Sequence, residues 1–138
     1  MALQPDNRLA AAIARGAVAR RKLAGDEGGC LSADQVAQVL GISKQAILKR
    51  YENGQLIAWR DERRNAVRFP VWQFRDQKIL QGIEDALQIL NTANRLDDFG
   101  RMSFFLSHHG FLSGKRPLDC LREGEVTKVL QAASGYVE

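Results

Sequence analysis

Apolar residues recur at helical spacing in several short segments of the chain, and the residues flanking these segments are ones that begin or end helices. Ser32 and Ser43 each precede such a segment, where a serine side chain accepts a hydrogen bond from an otherwise unpaired backbone N–H. Gly41 lies between the two segments and suits the left-handed backbone that ends a helix. The pattern therefore predicts two helices, over residues 33–40 and 44–53, joined by a tight turn.

The segments on either side of these helices have different patterns. Residues 5–23 predict a further helix, which we interpret as an N-terminal arm, and the glycine-containing stretch 25–29 predicts a flexible joint after it. Residues 56–60 and 66–69 are rich in residues typical of strands and flank a polar turn. They predict a short β-hairpin, which Pro70 ends.

The second half of the chain has a helical pattern throughout. Apolar residues at spacings of three and four predict an amphipathic helix over residues 76–90, which joins the two halves. Further helices are predicted over residues 97–107 and 125–133. Between them, Pro117 suits the first position of a short helix and Gly124 suits its end. We therefore expect a mainly α chain with one short β-hairpin.

With 138 residues, of which 45% are hydrophobic and 26% charged, the chain is large enough for one compact domain or two very small ones. Its longest uninterrupted apolar run, residues 9–14, is far shorter than the roughly 18 to 20 residues that span a bilayer. Pro5 and Asp6 precede any apolar stretch, which is unlike a secretory signal, so we expect a cytoplasmic protein. Cys30 and Cys120 lie far apart without a C-x-x-C partner, so we expect ordinary thiols rather than a disulfide framework or a zinc site.

The positive charge of the chain belongs to its first half. Residues 1–75 hold 13 basic and 7 acidic side chains, whereas residues 76–138 hold 7 basic and 9 acidic ones. A basic excess of this size is typical of a surface that meets a polyanion such as nucleic acid, although unevenly scattered solvated side chains would give the same count. The motifs therefore have to decide between the two interpretations.

Residues 31–54 have the spacing of a helix-turn-helix. Ala37 is small where two helices cross closely, Gly41 supplies the turn, and Ile47 holds the second helix against the first. Because successive residues of a helix are rotated by about 100°, burial of Ile47 and Tyr51 turns another face to solvent. The residues that we expect on this face, with the N-cap beside it, are Ser43, Lys44, Gln45, Leu48 and Lys49. Glutamine can pair with adenine, lysine can reach guanine or a phosphate, and leucine can touch a thymine methyl group.

The predicted hairpin is rich in arginine. Its arginines are Arg60, Arg63, Arg64 and Arg68. A basic hairpin beside a recognition helix can act as a wing that binds phosphates or the minor groove. The acidic pair Asp61 and Glu62 in the turn opposes this, and a small helical domain with a charged surface is the alternative interpretation.

Residues 31–74 resemble the winged helix-turn-helix of MerR-like and excisionase-like regulators. The run Arg68-Phe69-Pro70-Val71-Trp72-Gln73-Phe74 is similar to the tail that follows this module in certain antitoxin-like proteins. The resemblance implies that residues 44–49 bind in a groove of DNA, and it implies no particular operator.

The second half carries the pattern L-x-G-x-x-P-L-D-x-L-x-x-G, from Leu112 to Gly124, followed by an apolar helix. Over about residues 97–136 it resembles the toxin-binding domain of the Xre/MbcA/ParS antitoxin family. The resemblance implies a partner, a RES-domain toxin that consumes NAD, with the catalysis on the toxin. Two features depart from the family pattern: Phe99 stands where a tryptophan is common, and the first half is MerR-like where many members carry a repressor-type bundle.

The same resemblance implies that most residues of this pattern are structural. Residues that could contact a toxin lie in the loop, the short helix and the C-terminal end, since loops and termini near a partner carry recognition. Our candidates are Lys115, Arg116, Arg122, Tyr136, Val137 and Glu138. Terminal residues can also simply fray, which is the alternative interpretation of the last three.

Sequence features of catalysis or metal binding are weak. His108 and His109 are adjacent, so on a helix they would point about 100° apart, and no acid or cysteine stands at ligand spacing. Asp97 and Asp98 suit the N-terminal end of a helix better than a catalytic pair. The sequence contains no nucleophile elbow, phosphate loop or zinc-protease motif. We therefore expect no enzyme, no metal site and no cofactor.

Together these observations predict an N-terminal arm and linker (1–30), a winged helix-turn-helix (31–75), a connecting helix (76–96) and a small helical toxin-binding domain (97–138). We expect an antitoxin of a type II toxin–antitoxin module that also binds its own promoter as an autorepressor. A homodimer is expected because two recognition helices match two half-sites. The alternatives are a stand-alone regulator without a toxin and an excisionase-like architectural protein that bends DNA.

Overall fold

The structure is a computed structural model that describes residues 27–93 and 96–138. Within these residues the helices are α1 (Ala33–Leu40), α2 (Lys44–Glu52), α3 (Ile83–Leu90), α4 (Asp98–Leu106), α5 (Pro117–Arg122) and α6 (Val126–Val137). The strands are β1 (Cys30–Ser32), β2 (Trp59–Asp61), β3 (Ala66–Pro70), β4 (Phe74–Arg75) and β5 (Lys78–Ile79). Short 3₁₀ helices lie at Val71–Gln73 and Gly110–Leu112.

The protein is thus mainly α, as the sequence predicted, and it contains two small antiparallel sheets where the sequence predicted one short hairpin. None of the helices in the described part of the chain is long and apolar enough to cross a membrane. The helix predicted over residues 5–23 lies outside the described residues.

Helices α1 and α2 begin after the two serines that were predicted as caps. Ser32 Oγ accepts a hydrogen bond from the Gln35 backbone N–H at 3.2 Å, and Gln35 Oε1 accepts from the Ser32 N–H at 2.8 Å, which completes a capping box. Ser43 Oγ accepts from the Ala46 N–H at 3.1 Å. Gly41 ends α1 with φ at 69°, where a residue with a Cβ atom would be strained. Local hydrogen bonds therefore place both helices within one residue of their predicted ends.

The predicted hairpin is present, and an unpredicted third strand joins it. β3 lies in the middle of the sheet, pairing antiparallel with β2 on one side and with β1 on the other. Leu31 of β1 lies opposite Phe69, and Cys30, which was predicted to end a linker, is the first residue of this strand. β2 is shorter than predicted because residues 56–58 are buried in irregular backbone before it.

The helix predicted over residues 76–90 is wrong in its first half. β4 and β5 form a hairpin there, and Asp76 and Gln77 make its turn with φ at 53° and 64°. Gly82, at φ 97°, precedes α3, and a Cβ atom on it would lie 2.5 Å from the Leu121 side chain. The apolar residues that suggested a longer helix instead pack on the core from β5 and the turn after it, so their pattern reflected burial rather than helix.

The C-terminal helices follow the prediction closely. Asp97 caps α4, its Oδ1 accepting from the Gly100 N–H at 2.8 Å, and Pro117 is the first residue of α5. α6 runs to Val137, beyond the predicted end at residue 133. Residues 135–137 therefore belong to the last turn of this helix.

Two apolar clusters build the core, and they do not divide at the predicted domain boundary. The first lies between α1, α2 and the sheet, and it contains Val36, Ile47 and Phe69. The second contains the buried side chains of α3 to α6, together with Ile57 and Trp72 from the first half of the chain. The two halves therefore share a packed apolar surface.

Gln73 is a fully buried polar side chain at the junction of the two halves. Its Nε2 donates to the carbonyl oxygen of Ile57 at 2.7 Å and to that of Pro70 at 3.0 Å, while its Oε1 accepts from the Ile57 N–H at 2.9 Å. A side chain thus satisfies backbone groups of residue 57 that a neighbouring strand would otherwise pair.

Candidate nucleic-acid interface

One face of α2 is turned to solvent and carries polar side chains. Ile47 is fully buried, and this burial leaves Lys44, Gln45 and Lys49 exposed, as the helical rotation predicted. Ser43 is exposed at the start of the helix, but its hydroxyl is engaged as the N-cap.

Leu48 is less exposed than the sequence predicted. It is half-buried and packs against the apolar cluster of the first half. Only part of the Leu48 side chain therefore remains exposed.

The arginines of the hairpin are in two different situations. Arg60, on β2, and Arg63 and Arg64, in the turn, are exposed. Arg68 was predicted to bind DNA, but it is already paired. Its Nε donates to Asp61 Oδ2 on the neighbouring strand at 3.3 Å, and only 27% of its side chain is exposed. Three of the four candidate arginines therefore face solvent, and Asp61 at the end of β2 pairs with the fourth.

A groove of about 390 Å³ separates α2 from the hairpin. Lys44 lies on one side of it and Arg60 on the other, while Leu48 and Val67 supply apolar lining. The Lys44 Nζ atom lies 3.6 Å from a carboxylate oxygen of Asp34, but both side chains are more than half exposed. Exposed ion pairs of this kind contribute little to stability. A polyanion can therefore displace the Asp34 carboxylate from Lys44.

Of the candidate toxin-binding residues, Arg116 and Arg122 are tied into the protein. Arg116 donates to Asp119 and to Glu27, both at 2.8 Å, and Arg122 lies 3.2 Å from Glu27 and 3.5 Å from Asp119. Hydrogen bonds from Arg116 hold the pKa of the Glu27 carboxyl group and that of the Asp119 carboxyl group below their usual ranges. Lys115 forms a more exposed pair with Glu123 at 3.2 Å. The predicted free cations of this region are therefore paired.

The candidates at the C-terminal end lie on the last turn of α6. Tyr136 is 39% exposed, and its ring packs edge-on against Phe104 and His109, with centroids 5.2 and 5.8 Å away. Val137 packs on the core, whereas Glu138 is exposed. Phe111, which the sequence did not single out, is 66% exposed in the loop before α5.

The two histidines have structural contacts. The ring Nδ1 of His108 lies 2.7 Å from the carbonyl oxygen of Gly114, and the Nε2 of His109 lies 3.0 Å from that of Phe104. No group of three or more histidine, cysteine or acidic residues within 27–93 and 96–138 could hold a metal ion.

Within the residues that the structure describes, neither Cys30 nor Cys120 takes part in a disulfide bond. Cys30 is half-buried and Cys120 is buried, and this burial raises the pKa of both thiols. A thiol with a raised pKa is a weak nucleophile at neutral pH.

A polar network that the sequence did not predict joins the end of α2 to the second half. The Tyr51 hydroxyl donates to Asp98 Oδ2 at 2.9 Å, and the Arg101 Nε donates to Asn91 Oδ1 at 2.7 Å. Burial raises the pKa of Asp98, and burial beside this carboxylate raises the pKa of Tyr51 to about 12. A groove of about 430 Å³ lies beside the network.

No protein-family model matches the chain, and no curated protein matches it. Among solved structures, the NMR structure of Rv2175c is similar, with a TM-score of 0.68 and 19% sequence identity over 82% of this chain and 84% of that chain. At this identity the similarity shows a shared fold and nothing about function. The arrangement of helices and small sheets thus also occurs in an experimentally determined structure.

Proposed function

We propose that the chain binds double-stranded DNA as a transcription regulator, with α1 and α2 as a helix-turn-helix and the β2–β3 hairpin as its wing. The observation that carries this proposal is the combination of an exposed polar face on α2 with exposed arginines on the adjacent hairpin. Both elements border one groove, so a single strand of DNA backbone could contact them together.

The two elements have different tasks in this proposal. Lys44, Gln45 and Lys49 enter the major groove, where glutamine and lysine distinguish bases. Arg63 and Arg64 bind phosphates beside it, which fixes orientation without reading sequence. A dimer would present two such surfaces to two half-sites, and it remains part of the proposal.

The experiment is a fluorescence anisotropy titration of the full chain with a duplex from the region upstream of its own coding sequence and with a scrambled duplex. Replacing Lys44 and Gln45 by alanine should weaken binding to the upstream duplex by roughly 1 to 3 kcal/mol for each side chain that pairs with a base. Binding to the scrambled duplex should weaken less, because part of the effect concerns base recognition.

Lys128→Ala is the matched control, since Lys128 is an exposed lysine of α6 paired only weakly with Glu125 at 3.5 Å. This variant should bind as the wild type does. Equal weakening in Lys128→Ala and in the α2 variant would mean that general charge, and not α2, carries the binding. Absence of binding by the wild-type chain to either duplex would overturn the proposal.

Neutralisation of a RES-domain toxin is the second candidate function, and one observation on the C-terminal half favours it. Phe111 and Tyr136 are large apolar side chains that remain exposed there, and exposed aromatic residues are typical of protein interfaces. Arg116 and Arg122 support this candidate less than predicted, because both are paired internally.

The test of this candidate is co-expression with the product of the neighbouring gene, followed by size exclusion and a growth assay. A stable complex and rescued growth, both weakened by Phe111→Ala, would support an antitoxin. If the product of the neighbouring gene is not toxic and forms no complex with this chain, the proposal of a DNA-binding regulator alone remains. Removal of the chain from Tyr136 onward should impair neutralisation and spare DNA binding.

The architectural alternative predicts bending of DNA without a protein partner. Energy transfer between dyes at the two ends of the bound duplex distinguishes it, since a bent duplex brings the ends closer. An unchanged end-to-end distance would favour the regulator.

A further inference from the structure

The first turn of α4 contacts both parts of the proposed DNA surface. Asp98, its first residue, accepts the hydrogen bond from Tyr51 at the end of α2. Phe99, its second residue, packs against Trp59 of β2 with ring centroids 5.8 Å apart. We propose that this turn positions α2 and the hairpin relative to each other, so that the C-terminal half sets DNA affinity without touching DNA. This inference rests on the proposed function.

Further polar contacts hold the first turn of α4 in place. Arg101 Nη1 lies 3.3 Å from Asp98 Oδ1, and the same arginine donates through Nε to Asn91. Asn91 follows α3 and donates through Nδ2 to the carbonyl oxygen of Gly54 at 3.0 Å. Gly54 lies just beyond α2, so the contacts run from α2 to α4, on to the end of α3, and back to the end of α2.

The backbone at Gly54 is built for this close approach. Its φ is 74°, and a Cβ atom placed on it would clash with the Asn91 side chain. A side chain at this position would therefore be strained and would displace the Asn91 amide from the Gly54 carbonyl oxygen. The glycine lets α2 end directly against the second half.

The hydrogen bond between Tyr51 and Asp98 is partly shielded from water. The side chain of Asp98 is 29% exposed, and it is engaged by Tyr51 on one oxygen and by Arg101 on the other. The Tyr51 ring also packs edge-on against Phe69 of β3, with centroids 6.1 Å apart. Removal of the hydroxyl would thus release one directional interaction while the ring packing remains.

The test compares DNA affinities of Tyr51→Phe, Asp98→Ala and the double variant, at a temperature where all are folded. Each single variant should lower affinity roughly three- to tenfold. The double variant should be no weaker than the weaker single variant, because both changes remove the same bond. The salt dependence should stay as in the wild type, since the side chains that meet phosphates are unchanged. Asp98→Asn keeps an oxygen that can accept the bond, so it should recover most of the affinity.

Asp85→Ala is the control for charge, because it removes an exposed carboxylate from α3 and changes the net charge equally. It should not lower the affinity. A second readout is the amide NMR spectrum of Tyr51→Phe, in which residues of both α2 and the hairpin should shift.

Two outcomes would overturn the inference. Wild-type affinity in folded Tyr51→Phe and Asp98→Ala would remove the positioning role and leave the proposed function standing. No binding of any duplex by the wild type would remove the proposed function and this inference together.

Discussion

The two arginines in the turn of the β2–β3 hairpin and the two arginines at the ends of α5 stand in opposite electrostatic situations: Arg116 is the N-cap of α5, and Arg122 is its last residue. Arg63 and Arg64 are exposed, and they form no ion pair with any residue in the described ranges 27–93 and 96–138. Arg116 and Arg122 both lie within 3.5 Å of carboxylate oxygens of Glu27 or Asp119. A positive charge in a sequence is therefore not the same as a charge that a polyanion can reach.

The spacing of the acidic residues explains the contrast. Asp119 lies three residues from both Arg116 and Arg122, so the turns of α5 on either side of it bring the two arginines to its carboxylate. In the hairpin, Asp61 lies opposite Ala66 and pairs with Arg68, two residues further along β3, while the arginines of the turn remain exposed. Within residues 27–75, the turn of the hairpin and α2 thus both carry exposed basic side chains.

The largest expected effect tests whether the two halves of the chain unfold together or separately. Gln73→Ala removes the amide that satisfies both backbone groups of Ile57, which would leave them buried without a partner. We expect the free energy of unfolding to fall by roughly 2 to 4 kcal/mol. Thermal unfolding followed by near-ultraviolet circular dichroism should remain one transition, because the clusters share packing at Ile57 and Trp72. Two well-separated transitions in the wild type would show that the halves are independent.

The second prediction sharpens the contrast between the arginines. Replacing Arg63 and Arg64 by alanine should lower DNA affinity roughly tenfold at low salt, and the slope of log affinity against log salt should fall by about 1.8, for two phosphate contacts. Arg122→Ala should change neither, because its charge is engaged by Glu27 and Asp119. If anisotropy titrations show the same loss of affinity for Arg122→Ala as for the Arg63 and Arg64 variant, the paired and the unpaired arginines do not differ in DNA binding.

The third prediction concerns stability at α5. Arg116→Ala should lower the free energy of unfolding by about 1 kcal/mol, since these pairs are partly exposed. The folded pKa values of Glu27 and Asp119 are lowered from 4.5 and 3.8, so their contribution is fully present above those values and is lost as pH falls through the lower folded ones. Urea unfolding across this acid range should therefore show a weaker pH dependence in the variant. An unchanged dependence would mean that Arg116 does not govern these carboxyl groups.

The last prediction concerns the contact between α2 and α4. The pKa of Tyr51 is raised from 10 to about 12, so its contribution to stability is fully present below pH 10 and is lost as pH rises toward 12. Tyr51→Phe removes the titrating group, and its stability should decline less than that of the wild type over this interval. Urea unfolding at alkaline pH measures the difference, and parallel declines would contradict the assigned environment of Tyr51.

Local structure was largely predictable, because its causes lie within a few residues. The caps Ser32 and Ser43, the turn at Gly41 and the start of α5 at Pro117 all depend on backbone hydrogen bonds or backbone angles of near neighbours. The helix predicted from residue 76 was wrong in its first half because apolar spacing reports burial: Ile79 and Leu80 pack on the core from the β4–β5 hairpin and the turn after it, which satisfies the spacing as well as a helix does.

The sequence by itself determined the order of the helices, the hairpin and the polar side of α2, since periodicity and capping are local properties. Only the tertiary structure decided which charges stay free and how the halves meet. Arg116 donates a hydrogen bond to Glu27, 89 positions away in the sequence, and Tyr51 donates one to Asp98, 47 positions away. Contacts over such separations depend on the packing of the shared core, and no pattern within a single segment specifies which distant side chain that packing will bring within hydrogen-bond distance.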